Sequence, residues 1–140
     1  MIEKPNKIIY ENQKEVWQKA KKYLLEIVTD EPCVQKATVW ASLAEGQFGV
    51  YETTYKNRHE GSDIDLVVIV DEKHPIPKKW KFTNVNKSWF DLYHDLGVFK
   101  HGGHKHIVDG LLVFPSRHDL KEMETDLKGR SKLIYKKGDK

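Results

Sequence analysis

The chain has 140 residues, enough for one domain with a real core and too few for a second. Hydrophobic residues at 39% beside charged residues at 32% are ordinary for a globular protein, and a net charge of +3 permits attraction to nucleotides or RNA without arguing for either. The single cysteine, Cys33, excludes an internal disulfide and a cysteine-built zinc site; with no membrane-length apolar run and no apolar signal core in Met1 to Asn12, one cytoplasmic domain over 1–140 is expected.

Asn12 to Val28 has helical apolar spacing, with Val16, Trp17, Ala20, Tyr23, Leu24, Ile27 and Val28 on one face. Asn12 and Glu15 form a capping-box pair at its start, and Pro32 lies beyond its end. Val34 to Ser42 is rich in β-branched and aromatic residues and predicts a strand. Leu43 to Val50 reads as a short helix, and polar Tyr51 to Gly61 as an exposed loop. Asp63 to Val70 is the clearest strand, apolar after Asp65 and therefore expected to be covered on both faces.

His74-Pro-Ile-Pro77 forces an extended exit, and Lys78 to Asn84 reads as an edge strand. Ser88 to Leu96 predicts a short helix, capped by Ser88 with Asp91 and stopped by Gly97. Ile107 to Phe114 is another apolar strand. Ser116 to Lys128 predicts a helix with Ser116 and Asp119 at its cap, Gly129 at its end, and a core stripe of Leu120, Met123 and Leu127. Lys132 to Tyr135 completes the series as a short strand. The resulting class is α/β, a small mixed sheet with helices packed on it.

Chemistry concentrates in Gly61-Ser-Asp-Ile-Asp-Leu66. Strand side chains alternate faces, so Asp63 and Asp65 point the same way. Two adjacent carboxylates repel unless something positive sits between them, and a hard divalent ion with oxygen ligands fills that need. Magnesium keeps few protein ligands and takes the rest from water and phosphates, so such a pair at the mouth of a sheet suits a metal–triphosphate site.

The motif Gly61-Ser-Asp-Ile-Asp-Leu66 resembles the signature of the DNA polymerase beta-like nucleotidyltransferase superfamily. Trp40-Ala41-Ser42 corresponds to the family's strand-end Gly-Ser pair, with Ala41 in place of glycine, and Ile107-Val108-Asp109-Gly110 to the strand bearing a third carboxylate. The resemblance spans roughly Val34 to Tyr135, with a longer gap between Ser42 and Asp63 that marks about 51–60 as an insertion. It implies a palm fold, one or two Mg2+ ions held by Asp63, Asp65 and Asp109, and Ser42, Ser62 and nearby backbone N–H groups on the nucleotide. An acceptor hydroxyl would attack the α-phosphorus of a nucleoside triphosphate and expel pyrophosphate. The chain ends before the helical acceptor domain that family members often carry, so a homodimer or a helical partner protein is expected to supply that surface.

Asp91 competes with Asp109 for the third carboxylate if Trp89 to His94 is a strand. His101-Gly-Gly-His104-Lys-His106 reads as a solvated glycine loop rather than a metal cluster, for want of a fourth ligand. Lys78-Lys-Trp-Lys-Phe82 mixes basic and aromatic residues as RNA platforms do, but reads better as a lysine-protected edge with Trp80 and Phe82 turned inward. Cys33 has no partner in sequence that would make it a nucleophile. Against the enzyme stands a second reading, a catalytically impaired binding module or antitoxin-like partner, which Ala41 and the long Ser42–Asp63 gap favour.

Overall fold

A computed structural model describes residues 7–51 and 61–138, with the backbone alone for Lys7, Ser42 and Tyr51. The expected insertion therefore falls, at 52–60, outside the described residues. The elements are β1 (Lys7–Ile9), α1 (Gln13–Val28), β2 (Val34–Trp40), a 3-10 turn (Ala41–Leu43), β3 (Gly49–Tyr51), β4 (Ile64–Val70), β5 (Lys81–Asn86), β6 (Asp91–His101), β7 (His104–Val113), α2 (Leu120–Leu127) and β8 (Ser131–Lys136). Six strands form a mixed sheet in the order β5-β6-β7-β4-β2-β8, with β4 and β7 parallel and the other neighbours antiparallel. β1 and β3 form a separate two-stranded sheet. No helix among the described residues is long and apolar enough to cross a membrane.

One helix covers each face of the large sheet. α1 buries Val16, Ala20, Leu24 and Val28, each a turn apart, against Ala37, Val39, Ile64, Leu66, Val68, Val108 and Leu112. Its cap is as expected: the Asn12 side chain accepts from Glu15 N at 3.1 Å and donates to Glu15 Oε2 at 3.1 Å. On the opposite face, Met123 and Leu127 of α2 pack with Val67, Leu111, Val113 and Trp89. The alternation along β4 thus sends Leu66 and Val68 to α1 and Val67 to α2, which is why that strand is apolar on both sides.

The stretch Ser88 to Leu96 is not a helix; β6 starts at Asp91 and runs through Gly97 to His101. Its aromatic residues favour a strand, and a helix of that length has little stability of its own. β6 is also tied to β7 by a two-residue turn, where Gly102 and Gly103 both have positive φ, at 57° and 80°, as this hairpin type demands. The His101–His106 segment is therefore a tight hairpin, with His101 paired to His104, rather than a loose loop. The expected helix over Leu43 to Val50 reduces to the Ala41–Leu43 turn, because Gly46 turns back at φ 73° and Gly49–Tyr51 pairs with β1. α2 starts at Leu120, capped by Asp119, whose side chain accepts from Glu122 N; the Ser116 hydroxyl donates to Glu72 instead. Leu120, at the open end of that helix, is exposed.

β5 is a sheet edge, as expected. Trp80 is buried as expected, whereas Phe82 is exposed rather than turned inward, its ring 5.3 Å from that of Tyr93, because an edge strand leaves one side of its aromatics uncovered. Cys33 is buried too. Burial, with Glu31 nearby, pushes its thiol up to about 11, which keeps it protonated and unreactive.

Candidate active site

Asp63 and Asp65 stand at the start of β4, partly exposed. On the neighbouring parallel strand, Asp109 is in direct register with Asp65. Parallel partners point to the same face, and adjacent strands lie about 5 Å apart, so Asp65 and Asp109 project side by side, with Asp63 just ahead of the strand. By alternation Asp65 and Asp109 share the face of Val67 and Leu111, which pack with α2, and Asp109 is buried there. Gly110, next to Asp109, faces α1 and meets Leu96 there.

Asp91, the rival, does lie on a strand, yet it takes no place in this group. It pairs with Leu112, a residue of the α1 face, and is 2% exposed. Its carboxylate accepts from Asn86 Nδ2 at 2.7 Å, from His118 Nε2 at 3.1 Å and from both terminal nitrogens of Arg117. Phe114 N–H donates to His118 Nδ1 at 2.8 Å, which fixes the ring proton on Nε2 and aims it at Asp91. Asp91 is a structural clamp joining β5, β6 and the segment before α2.

The Gly-Ser half of the motif holds β4 in place. The Ser62 hydroxyl, in a residue 2% exposed, donates to Gly49 O at 2.8 Å, and Ser62 N–H donates to the same oxygen at 2.9 Å. The hydroxyl of Ser62, the residue expected on the nucleotide, is thus engaged inside the fold. Ser62 O in turn accepts from Nδ1 of fully buried His106 at 2.8 Å, whose Nε2 meets the Tyr10 hydroxyl at 2.8 Å. A Cβ on Gly61 would lie 2.7 Å from His106 Nδ1 and closer still to Lys105 O. Gly61→Ala is expected to lower stability by about 2 kcal/mol, read as a shift in the urea midpoint at constant slope, because strand β7 cannot yield there.

Trp40 is paired with Asp65 across β2 and β4, so the turn Ala41–Leu43 begins beside the carboxylates. The Ser42 side chain lies outside what the structure describes. Ala41 has φ 66°, in the left-handed region that favours glycine. Its N–H donates to Arg130 O and its carbonyl accepts from Glu45 N, which holds it there. Ala41→Gly is expected to stabilise the protein by about 1 kcal/mol, the relief of the Cβ clash exceeding the added freedom of the unfolded chain. A denaturant titration that showed no gain would mean Ala41 is not strained.

Two features of this end of the sheet escaped the sequence. Trp40 and Trp89 meet edge to face at 5.5 Å, with Arg130 5.7 Å above Trp40. His94 Nδ1 lies 2.9 Å from Asp109 Oδ1. The reading of residues 88–96 as a helix hid the histidine by placing it on a different element.

No protein-family model, curated protein or solved structure matches this chain.

The donor chemistry of Asp65 and Asp109, register partners on parallel strands with Asp63 just before β4, suits a hard cation. Among the described residues, no three His, Cys, Asp or Glu side chains already stand together as a metal-holding group. Nor does any of Asp63, Asp65 and Asp109 stand without a partner in the folded chain.

Proposed function

We propose that this chain is a metal-dependent nucleotidyltransferase with a palm-like fold, transferring a nucleoside monophosphate from a nucleoside triphosphate to a hydroxyl acceptor. The observation that carries this reading is the register of Asp65 with Asp109 on parallel strands, with Asp63 two residues before Asp65. The left-handed backbone of Ala41 beside them supports it. Asp63, Asp65 and Asp109 would hold magnesium, which when bound supplies positive charge for the triphosphate and the departing pyrophosphate. Asp109 would also receive the proton of the acceptor hydroxyl. The Ala41–Leu43 turn would offer the backbone N–H groups of Ser42 and Leu43 to the phosphates, that of Ala41 being bonded to Arg130 O; because it is a single turn, less of a helix dipole backs it than the expected helix would provide. A cytoplasmic protein fits this chemistry, and the free thiol of Cys33 asks for no oxidising compartment.

The test is magnesium-dependent pyrophosphate release with each of the four nucleoside triphosphates, offered small-molecule, RNA and protein acceptors. Release with one of them supports the reading, and none with any combination counts against it.

A second reading is a binding module or antitoxin-like partner that keeps the fold without turnover. It is favoured by the lack of a ready three-ligand group among the described residues. Binding of Mg·ATP with no pyrophosphate release, or co-purification with a helical partner protein, would select it.

A further inference from the structure

Resting on the carboxylate-site reading above, we propose that His94 is a positioning residue whose ring N–H sets the orientation of the Asp109 carboxylate. The register of β6 against β7 jumps from Tyr93–Gly110 to Gly97–Val108, so His94, Asp95 and Leu96 stand opposite the single residue Asp109. This bulge interrupts the ladder and holds Asp95 at φ 66°, a conformation that non-glycine residues adopt at a cost. Bulges of this kind re-aim a side chain, and here the side chain re-aimed is His94.

Its Nδ1 comes 2.9 Å from Asp109 Oδ1. An ionised carboxylate only accepts, so the proton sits on Nδ1 and is donated. Asp109 is 7% exposed and His94 is 44% exposed, which places the ring at the rim of the site and the acid beneath it. A carboxylate in such a setting keeps one rotamer when a donor pins an oxygen, and a ligating carboxylate pinned in this way binds its cation more tightly. The hydrogen bond places His94 against Asp109, and the left-handed backbone at Asp95 marks the bulge that carries it.

The experiment compares Mn2+ binding, followed by loss of the free-ion paramagnetic resonance signal, in full-length wild type, His94→Asn, His94→Gln, His94→Ala and Asp65→Ala. Asparagine carries its amide N–H where histidine has Nδ1; glutamine carries it where histidine has Nε2. Positioning predicts that His94→Asn binds Mn2+ within about threefold of wild type, whereas His94→Gln and His94→Ala weaken binding by about tenfold or more. Their thermal midpoints should differ little among themselves, and the KM for Mg2+ in pyrophosphate release should rise more than kcat falls. Wild-type affinity in His94→Gln and His94→Ala, with Asp65→Ala losing the ion, overturns the role of His94 and leaves the site reading standing. Wild type that binds no Mn2+ overturns both.

Discussion

Replacing Asp65 by asparagine is expected to cut magnesium-dependent pyrophosphate release about a thousandfold while the fold stays intact. The size follows from the chemistry: a metal-bound transition state loses several kcal/mol when a charged ligand becomes neutral, and each ~1.4 kcal/mol is a factor of ten. The fold survives because asparagine keeps the shape of the side chain, and Asp65 sits on a strand whose core contacts are made by Leu66, Val67 and Val68. The neutral change also relieves repulsion from Asp109, its register partner. A matched control is Asp30→Asn, at an exposed position after α1, where release should not change. Equal rates in Asp65→Asn and wild type would remove the carboxylate pair from the chemistry.

The second large effect concerns stability. Asp91→Ala is expected to cost about 3 kcal/mol and to lower the thermal midpoint by roughly 10 °C. The loss leaves Asn86, buried His118 and half-exposed Arg117 without their shared acceptor, and it frees the Arg117 guanidinium that lies 4.4 Å over the Phe114 ring. The same clamp makes a pH prediction. Burial pushes the Asp91 carboxyl up, but hydrogen bonds from Arg117, Asn86 and His118 outweigh it and hold it below its ordinary 3.8. A carboxyl held down in the folded state adds stability in full above its ordinary value and loses it as pH falls through the lower folded one. Urea midpoints of wild type should therefore fall as pH drops below about 4, and those of Asp91→Ala should fall less steeply there. A parallel decline in the two proteins would assign the acid loss to other carboxylates.

Elements with strong local patterns were legible before any coordinates. The α1 stripe follows 3.6-residue periodicity, its cap was written in Asn12 and Glu15, and β4 is a continuous apolar run. Asp65 falls inside that strand, whereas Asp63, expected to share its face, lies just before it. Residues 88–96 misled because Ser88 and Asp91 imitate a helix cap, and the apolar residues fit either period over so short a window. The strand there depends on partners: β5 on one side and β7, beyond a diglycine turn, on the other. β1 was missed for a similar reason, since three residues of strand carry almost no period and exist by pairing with β3.

By itself, then, the sequence determined a mixed α/β class and an apolar strand with Asp65 near its start and Asp63 just before it, because helix and strand periods are local properties of the chain. The tertiary structure decided which distant acid joins them. Asp109 meets Asp65 through the parallel pairing of β4 and β7, while Asp91 is turned to the other face and bound by Arg117 and His118. It also decided that Ser62 points into the fold, that Ala41 adopts a backbone made for glycine, and that His94 reaches Asp109 across a bulge. These are matters of register and of long-range hydrogen bonding, which depend on strands brought together from far along the chain and leave no periodic trace in the residues themselves.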